Sequence, residues 1–136
     1  MESLVVTTHT HEELLDITGE VQEVVSHSGV REGICYIFVP HTTAGITLNE
    51  NWDPDVRRDI LISLADMAPA SPRHRHAEGN SPAHVKASLC GTSAIVFVSD
   101  GRLQLGPWQG IYLAEFDGPR RRQVWVKVIG DMESGD

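Results

Sequence analysis

Three of the seven histidines in this chain fall inside one short run, His74 to His84, which reads H-R-H-A-E-G-N-S-P-A-H. The run also carries Glu78, Asn80 and Ser81. Imidazole and carboxylate are the usual ligands of a borderline divalent ion, so metal ligation and phosphate binding are the chemistries these letters allow. His41 comes from far earlier, just past an apolar run that Pro40 ends. His41, His76 and His84 thus sit in three local contexts: a strand end, a loop and a helix start. Brought together, they would form a three-imidazole site with an open position for water or substrate, as in catalytic zinc centres. The spacing of His76 and His84 matches no H-E-x-x-H pair, and the same letters fit exposed or capping histidines. His9, His11 and His27 read as surface residues, and His74, only two residues from His76, reads either way.

Other polar groups stand near these. Glu50, Asn51 and Asp53 follow the strand after His41, at the mouth of a helix. They could orient histidines or supply a base, although for Asp53 simple helix capping is the favoured reading. Gly106-Pro107-Trp108-Gln109-Gly110 brackets a Trp and a Gln with glycines. Either Trp108 walls an aromatic substrate or the segment is a bulged turn with a core Trp. Arg120-Arg121-Arg122 is a small basic cluster able to meet one anionic ligand or the carboxylates of a neighbouring subunit.

The elements that must position these groups follow from pattern and punctuation. Residues 4–8 and the E-E-L-L-D-I segment read as strands. Thr18 reads as the cap of a short helix over 18–28, with Val21, Val24 and Val25 on one face and Gly29 as its stop. Residues 33–39, G-I-C-Y-I-F-V, read as a strand buried on both faces. Gly45 then allows a bulge or a close backbone approach before a strand through Ile46 and Leu48. Asp53-Pro54-Asp55 opens a helix to about Met67, whose stripe of Val56, Ile60, Leu61 and Leu64 packs on the sheet. The loop over 69–75 carries the first histidines, and Ser81-Pro82 caps a helix over 82–90 that Gly91 stops. The remainder is β: 94–98, a turn at Asp100-Gly101, 102–105, 109–116, a turn at Asp117-Gly118-Pro119, and 123–129 with Val124, Val126 and Val128 alternating against Trp125 and Lys127.

At 136 residues, 40% hydrophobic and 22% charged, the chain reads as one globular domain spanning 1–136. No apolar run approaches the roughly 18 residues needed to cross a bilayer, so a membrane role is not expected. The N-terminus lacks the pattern of a secretory signal, and the two cysteines, Cys35 and Cys90, form no C-x-x-C pair. These features point to the cytoplasm and reduced thiols. A formal charge of -8 argues against a nucleic-acid partner.

Three blocks carry a resemblance to a known family. They are P-H-T-T-A-G-I-T-L-N-E-N (40–51) with D-P-D-V behind it, H-A-E-G-N-S-P-A-H-V-K-A-S-L-C-G (76–91), and G-R-L-Q-L-G-P-W-Q-G-I-Y-L-A-E-F-D-G-P-R-R-R (101–122). In this order they resemble the signature blocks of the YjbQ-like family of small conserved proteins, over nearly the whole chain. The resemblance implies an α+β fold of two packed, mostly antiparallel sheets, sandwich-like, with two or three outer helices, assembled as a homotrimer. It also implies secondary thiamine-phosphate synthase activity, which joins a pyrimidine methyl diphosphate to a thiazole phosphate and releases pyrophosphate.

On that reading the family's histidines match His41, His76 and His84 as metal ligands. Glu50, Asn80 and Gln109 match further polar positions and are the catalytic candidates. Ser81 at the helix start, Lys86 and Arg120 are the candidate phosphate contacts. Histidine ligation favours zinc or another transition metal, while magnesium would accompany phosphate substrates. One departure is visible: the family's Gly-Thr-Trp-Gln is Gly106-Pro107-Trp108-Gln109 here, without the hydroxyl and one backbone N–H. Two alternatives stand beside the synthase. One is a metal-dependent hydrolase with Glu50 or Glu78 as base; the other is a trimeric ligand- or metal-binding protein without turnover.

Overall fold

Strict alternation of valine with larger or charged residues gives a strand two unlike faces. In the computed structural model, which describes residues 1–132, that segment is β8 (Arg121–Gly130). Beside it lie β1 (Glu2–Thr7), β3 (Gly33–Phe38), β5 (Ser93–Ser99) and β6 (Arg102–Leu103). Together they form a five-stranded antiparallel sheet in the order β1-β8-β3-β5-β6. A second antiparallel sheet contains β2 (Glu13–Asp16), β4 (Ala44–Glu50) and β7 (Gln109–Glu115), ordered β2-β7-β4. The helices are α1 (Thr18–Ser28), α2 (Pro54–Met67) and α3 (Ser81–Cys90). This is the expected α+β arrangement of two antiparallel sheets with outer helices.

Two apolar layers hold it together. Between the sheets lie Cys35, Ile37, Val96, Val98, Val124 and Val126 from one side and Ile46, Ile111 and Leu113 from the other, closed by Val21 and Val25 of α1. On the far face of the second sheet, Leu14, Tyr112, Ala114 and Phe116 meet Ala83 and Ala87 of α3, with Ile60, Leu61 and Leu64 of α2 partly buried against them. Strand β7 is therefore buried on both faces. Burying both faces was the expectation for β3, and there the structure differs. Cys35 and Ile37 are fully buried, whereas Tyr36 and Phe38 are about 40% exposed. Apolar letters on both parities do not say whether a second layer exists, and among the described residues no helix covers the outer face of this sheet.

Smaller corrections concern the ends of elements. Thr18 and Ser81 are the first helical residues, with Ile17 and Asn80 at the cap positions and no side-chain cap bond at either. Thr18 instead donates through its N–H and hydroxyl to Asp16 Oδ1, at 2.9 and 2.6 Å. Asp53 caps α2 as read, accepting from the Asp55 N–H. The strand read over 102–105 is only β6.

Two packing features position the loops at one end of the sandwich. The first is Gly45, where a Cβ would stand 2.6 Å from the Gly91 carbonyl oxygen. Only glycine lets the end of α3 close onto β4, and the Ile46 N–H donates to that same carbonyl. The second is the buried pair of Glu115 and Arg122, exposed by 0% and 3%. Arg122 Nε donates to Glu115 Oε1 at 2.9 Å, and Nη2 donates to Thr43 Oγ1 at 2.8 Å. Thr8 Oγ1 and the Asp117 N–H donate to the same carboxylate. Burial pushes the Glu115 carboxyl up, but the bonds from Arg122, Thr8 and the Asp117 N–H, with the guanidinium charge, outweigh it and hold it below its ordinary value.

A depressed carboxyl contributes stability that is complete above its unfolded value and lost as pH falls below it, through the folded value. Glu115→Gln should therefore destabilise the fold at neutral pH by about 3–5 kcal/mol, the usual effect of removing one partner of a buried pair. It should also flatten the loss of stability below about pH 4.5. Urea unfolding from pH 3 to 7 checks both, and a variant within about 1 kcal/mol of the wild type at neutral pH would refute the role given to the pair.

Candidate functional site

The network at this end of the sandwich holds a cleft of about 410 Å³. Its walls come from three separate stretches: Pro40 to Thr43 between β3 and β4, the segment from His76 into α3 that includes Glu78, Asn80 and His84, and the β7–β8 connection with Arg120 and Arg122. His41, His76 and His84 all line it. A shallower hollow of about 530 Å³ continues along α3 and shares His41, Thr42 and His84 with it.

Each imidazole is placed by a different device. His41 sits past the end of β3, where the register with β8, continued two residues from Phe38 opposite Trp125, puts Gln123 opposite Pro40. The Gln123 N–H has run past the ladder, and His41 Nε2 accepts it at 2.9 Å. His76 and His84 meet edge to face, with ring centroids 5.4 Å apart and planes at 88°. Burial, then the Arg122 guanidinium, lowers the pKa of His41; Glu115 opposes this and Arg120 reinforces it. The Gln123 contact would raise the value if the ring were the donor there. With the backbone N–H donating, it favours the neutral ring instead.

The lip of the cleft is organised by Asp117. Its Oδ2 accepts from Asn80 Nδ2 at 2.8 Å and from Arg120 Nη2 at 2.7 Å, and its carbonyl accepts from Arg120 Nε at 2.7 Å. Asn80 Oδ1 is buried with no hydrogen-bond partner among the described residues. A buried acceptor left alone beside a cleft is a group that a bound donor would satisfy.

Four candidates lie elsewhere. Lys86 is 5% exposed and donates to both carboxylate oxygens of Glu12 at 3.1 Å, facing an adjoining hollow of about 270 Å³ rather than the cleft. Ser81 begins α3 but does not line the cleft. Glu50 and Gln109 face each other in the β4–β7 register at the opposite end of the second sheet. That is the length of β4 away, roughly 20 Å. Gln109 Oε1 there accepts from the Gly106 N–H at 2.8 Å. Trp108, at the same end, is not a core residue: it is 55% exposed and stands edge-on to Trp52, centroids 5.8 Å apart.

Sequence reasoning passed over Glu115, Thr43 and Asp117. A signal for the buried pair existed: Glu115 shares the parity of Ile111 and Leu113, and Arg122 that of Val124 and Val126. Opposite charges on the core parity of two strands mark a buried ion pair. Asp117 gave no comparable signal, because Asp-Gly-Pro reads as a turn whatever the carboxylate does.

The donor set does not fit a metal ion as it stands. Among the described residues no group of three or more His, Cys, Asp or Glu is arranged to hold one. His41 Nε2 already accepts the Gln123 N–H at 2.9 Å.

The comparisons agree with this architecture. At 52% identity over 126 residues, 93% of this chain and 91% of the other, the chain resembles the UPF0047 protein MJ1081 of Methanocaldococcus jannaschii. It is 47% identical to the UPF0047 protein YugU of Bacillus subtilis, over 96% of this chain and 99% of the other. A solved structure of a YjbQ/UPF0047-family protein from Clostridium acetobutylicum superposes with a TM-score of 0.92 at 50% identity, covering 95% of this chain and all of that one. A structure of unknown function from Sulfolobus solfataricus gives 0.91 at 37% identity, covering 96% of each chain. The family model for UPF0047 protein YjbQ-like matches residues 2–131, and the chain belongs to that family.

Proposed function

We propose that the cleft binds a small phosphate-bearing substrate and carries the transfer implied by the YjbQ-like resemblance. In that reaction the thiazole nitrogen attacks the pyrimidine methylene carbon. A C–N bond forms, the C–O bond to the diphosphate breaks, and the bonding pair leaves with pyrophosphate. Little proton transfer is needed, so the protein must orient two ligands and stabilise departing charge. The observation supporting this reading is convergence: His41 from one segment and His76 and His84 from a distant second one face one cleft, with Arg120 on its rim and, among the described residues, the unpartnered acceptor of Asn80 in its wall. Arg120 and the imidazole N–H donors meet the phosphate oxygens. Glu78, which lines the same cleft, supports a second reading as the base of a hydrolase, a role Glu50 is badly placed to fill.

Thiamine phosphate formation from its two precursors, assayed with and without chelator, tests the proposal. The wild type should form product, and Arg120→Ala and His84→Ala should each lose about tenfold or more, the usual cost of one charge-assisted hydrogen bond. Phosphate release from simple esters, reduced in Glu78→Gln, would favour the hydrolase. Tight precursor binding with neither product would favour a binding protein.

We also propose a homotrimer working in the cytoplasm. The outer face of the five-stranded sheet supports self-association: Val5, Tyr36, Phe38, Ile95, Phe97 and Ile129 are all 40% or more exposed on one face. Contiguous apolar surface of this kind is uncommon on a monomer. For the compartment, Cys35 and Cys90 are free and burial raises both thiols, Cys35 to about 11. Among the described residues no helix is long and apolar enough to cross a membrane. Light scattering after size exclusion should give a trimer mass for the wild type and a monomer for Phe97→Glu; a monomeric wild type would sink the assembly.

A further inference from the structure

We infer that His41 is a neutral imidazole protonated on Nδ1, that it donates a hydrogen bond into the cleft toward an oxygen of the bound anion, and that it is not a metal ligand. The inference takes from the proposed function only that this cleft is the ligand site, and does not depend on the reaction.

The geometry leaves little choice of tautomer. A neutral imidazole has one N–H and one lone pair. The Gln123 amide can only donate, and it stands 2.9 Å from Nε2, so Nε2 holds the lone pair and Nδ1 the proton. Metal binding through Nδ1 would require that proton to be lost or moved to Nε2. Moving it would set two donors against each other and strand the Gln123 N–H, which has no ladder partner on that side. Nε2 itself is covered by the same amide.

Swinging the ring away is opposed by its surroundings. Pro40 precedes it and fixes one backbone torsion. On either side the chain is tied: the Val39 N–H donates to the Thr92 carbonyl at 2.8 Å, and Arg122 Nη2 donates to the Thr43 carbonyl and hydroxyl. His41 is thus a pre-set donor held by β8, while His76 and His84 have no comparable backbone partner among the described residues. With Arg120 on the same rim, the matching ligand group is an oxyanion, of which phosphate and pyrophosphate are the simplest.

The test needs no turnover. Long-range proton–nitrogen correlation spectra of the full-length protein near pH 7.5, with His41→Ala to assign the ring, should show His41 protonated at Nδ1 alone. Adding one equivalent of zinc should leave its signals in place, whatever happens at His76 and His84. An Nε2-protonated ring, or a His41 signal displaced by zinc, would overturn the assignment. Pyrophosphate titrated by calorimetry reads the ligand half. His41→Asn, whose side-chain amide can take the place of Nδ1, should bind within about threefold of the wild type, and His41→Ala about tenfold more weakly. Equal affinities in all three proteins, or no pyrophosphate binding by the wild type, would overturn the donor role. The tautomer result stands apart from both, so failure of the cleft as a phosphate site is distinguishable from failure of the tautomer.

Discussion

The Glu115–Arg122 pair is the constraint on which the rest of this end of the molecule depends. Taking both charges out of water is costly, and the mutual attraction offsets that only when the remaining donors and acceptors are satisfied. Here both carboxylate oxygens and the Nε and Nη2 of Arg122 are bonded, and each further partner belongs to a different segment. Thr8 follows β1, Thr43 leads into β4, and Asp117 opens the turn between β7 and β8. A pair of leucines would seal the core equally well, but they would not fix where these three loops lie. The loops matter because they carry or brace His41, Asn80 and Arg120.

Strand β8 then links two surfaces that otherwise look unrelated. Its inner parity carries Arg122, Val124 and Val126 into the core; its outer parity carries Gln123 and Trp125. The backbone of Gln123 holds His41, while its side-chain oxygen accepts from Trp125 Nε1 at 3.1 Å, beside the Phe38–Trp125 stack. Whatever covers the outer face of the five-stranded sheet therefore reaches, through one residue, the ring that faces the cleft. The outer face of the sheet and the cleft are thus separated by a single residue of β8.

Much of this was open to reading from the letters, and the misses have physical causes. Strand parity and the Asp53-Pro54 cap are local, so the elements came out nearly as expected. Convergence of the histidines is not local: it depends on Gly45 admitting the end of α3, and no spacing between His41 and His84 encodes that. Glu50 misled because it lies nine residues from His41, yet an extended strand carries it away at about 3.3 Å per residue. Lys86 misled in another way. The resemblance makes it a candidate phosphate contact, but it shares the buried face of α3 with Ala83 and Ala87, where a charge must find a partner, and Glu12 is that partner.

The cations around the cleft are already engaged in ion pairs, and this limits what the cleft can offer any ligand. Arg122 gives its Nε and Nη2 to Glu115 and Thr43, and Arg120 is held by Asp117 through both its Nε and Nη2. In a chain of net charge -8, such a cleft is not a bare positive sink. Long-range attraction between paired charges and a ligand is weak and is screened further by salt. What remains is short-range and directional: the outer edge of the Arg120 fork, the Nδ1–H of His41 and the lone acceptor of Asn80. Groups of that kind reward a ligand whose oxygens and donors fall in the right places, and reject one that offers charge alone.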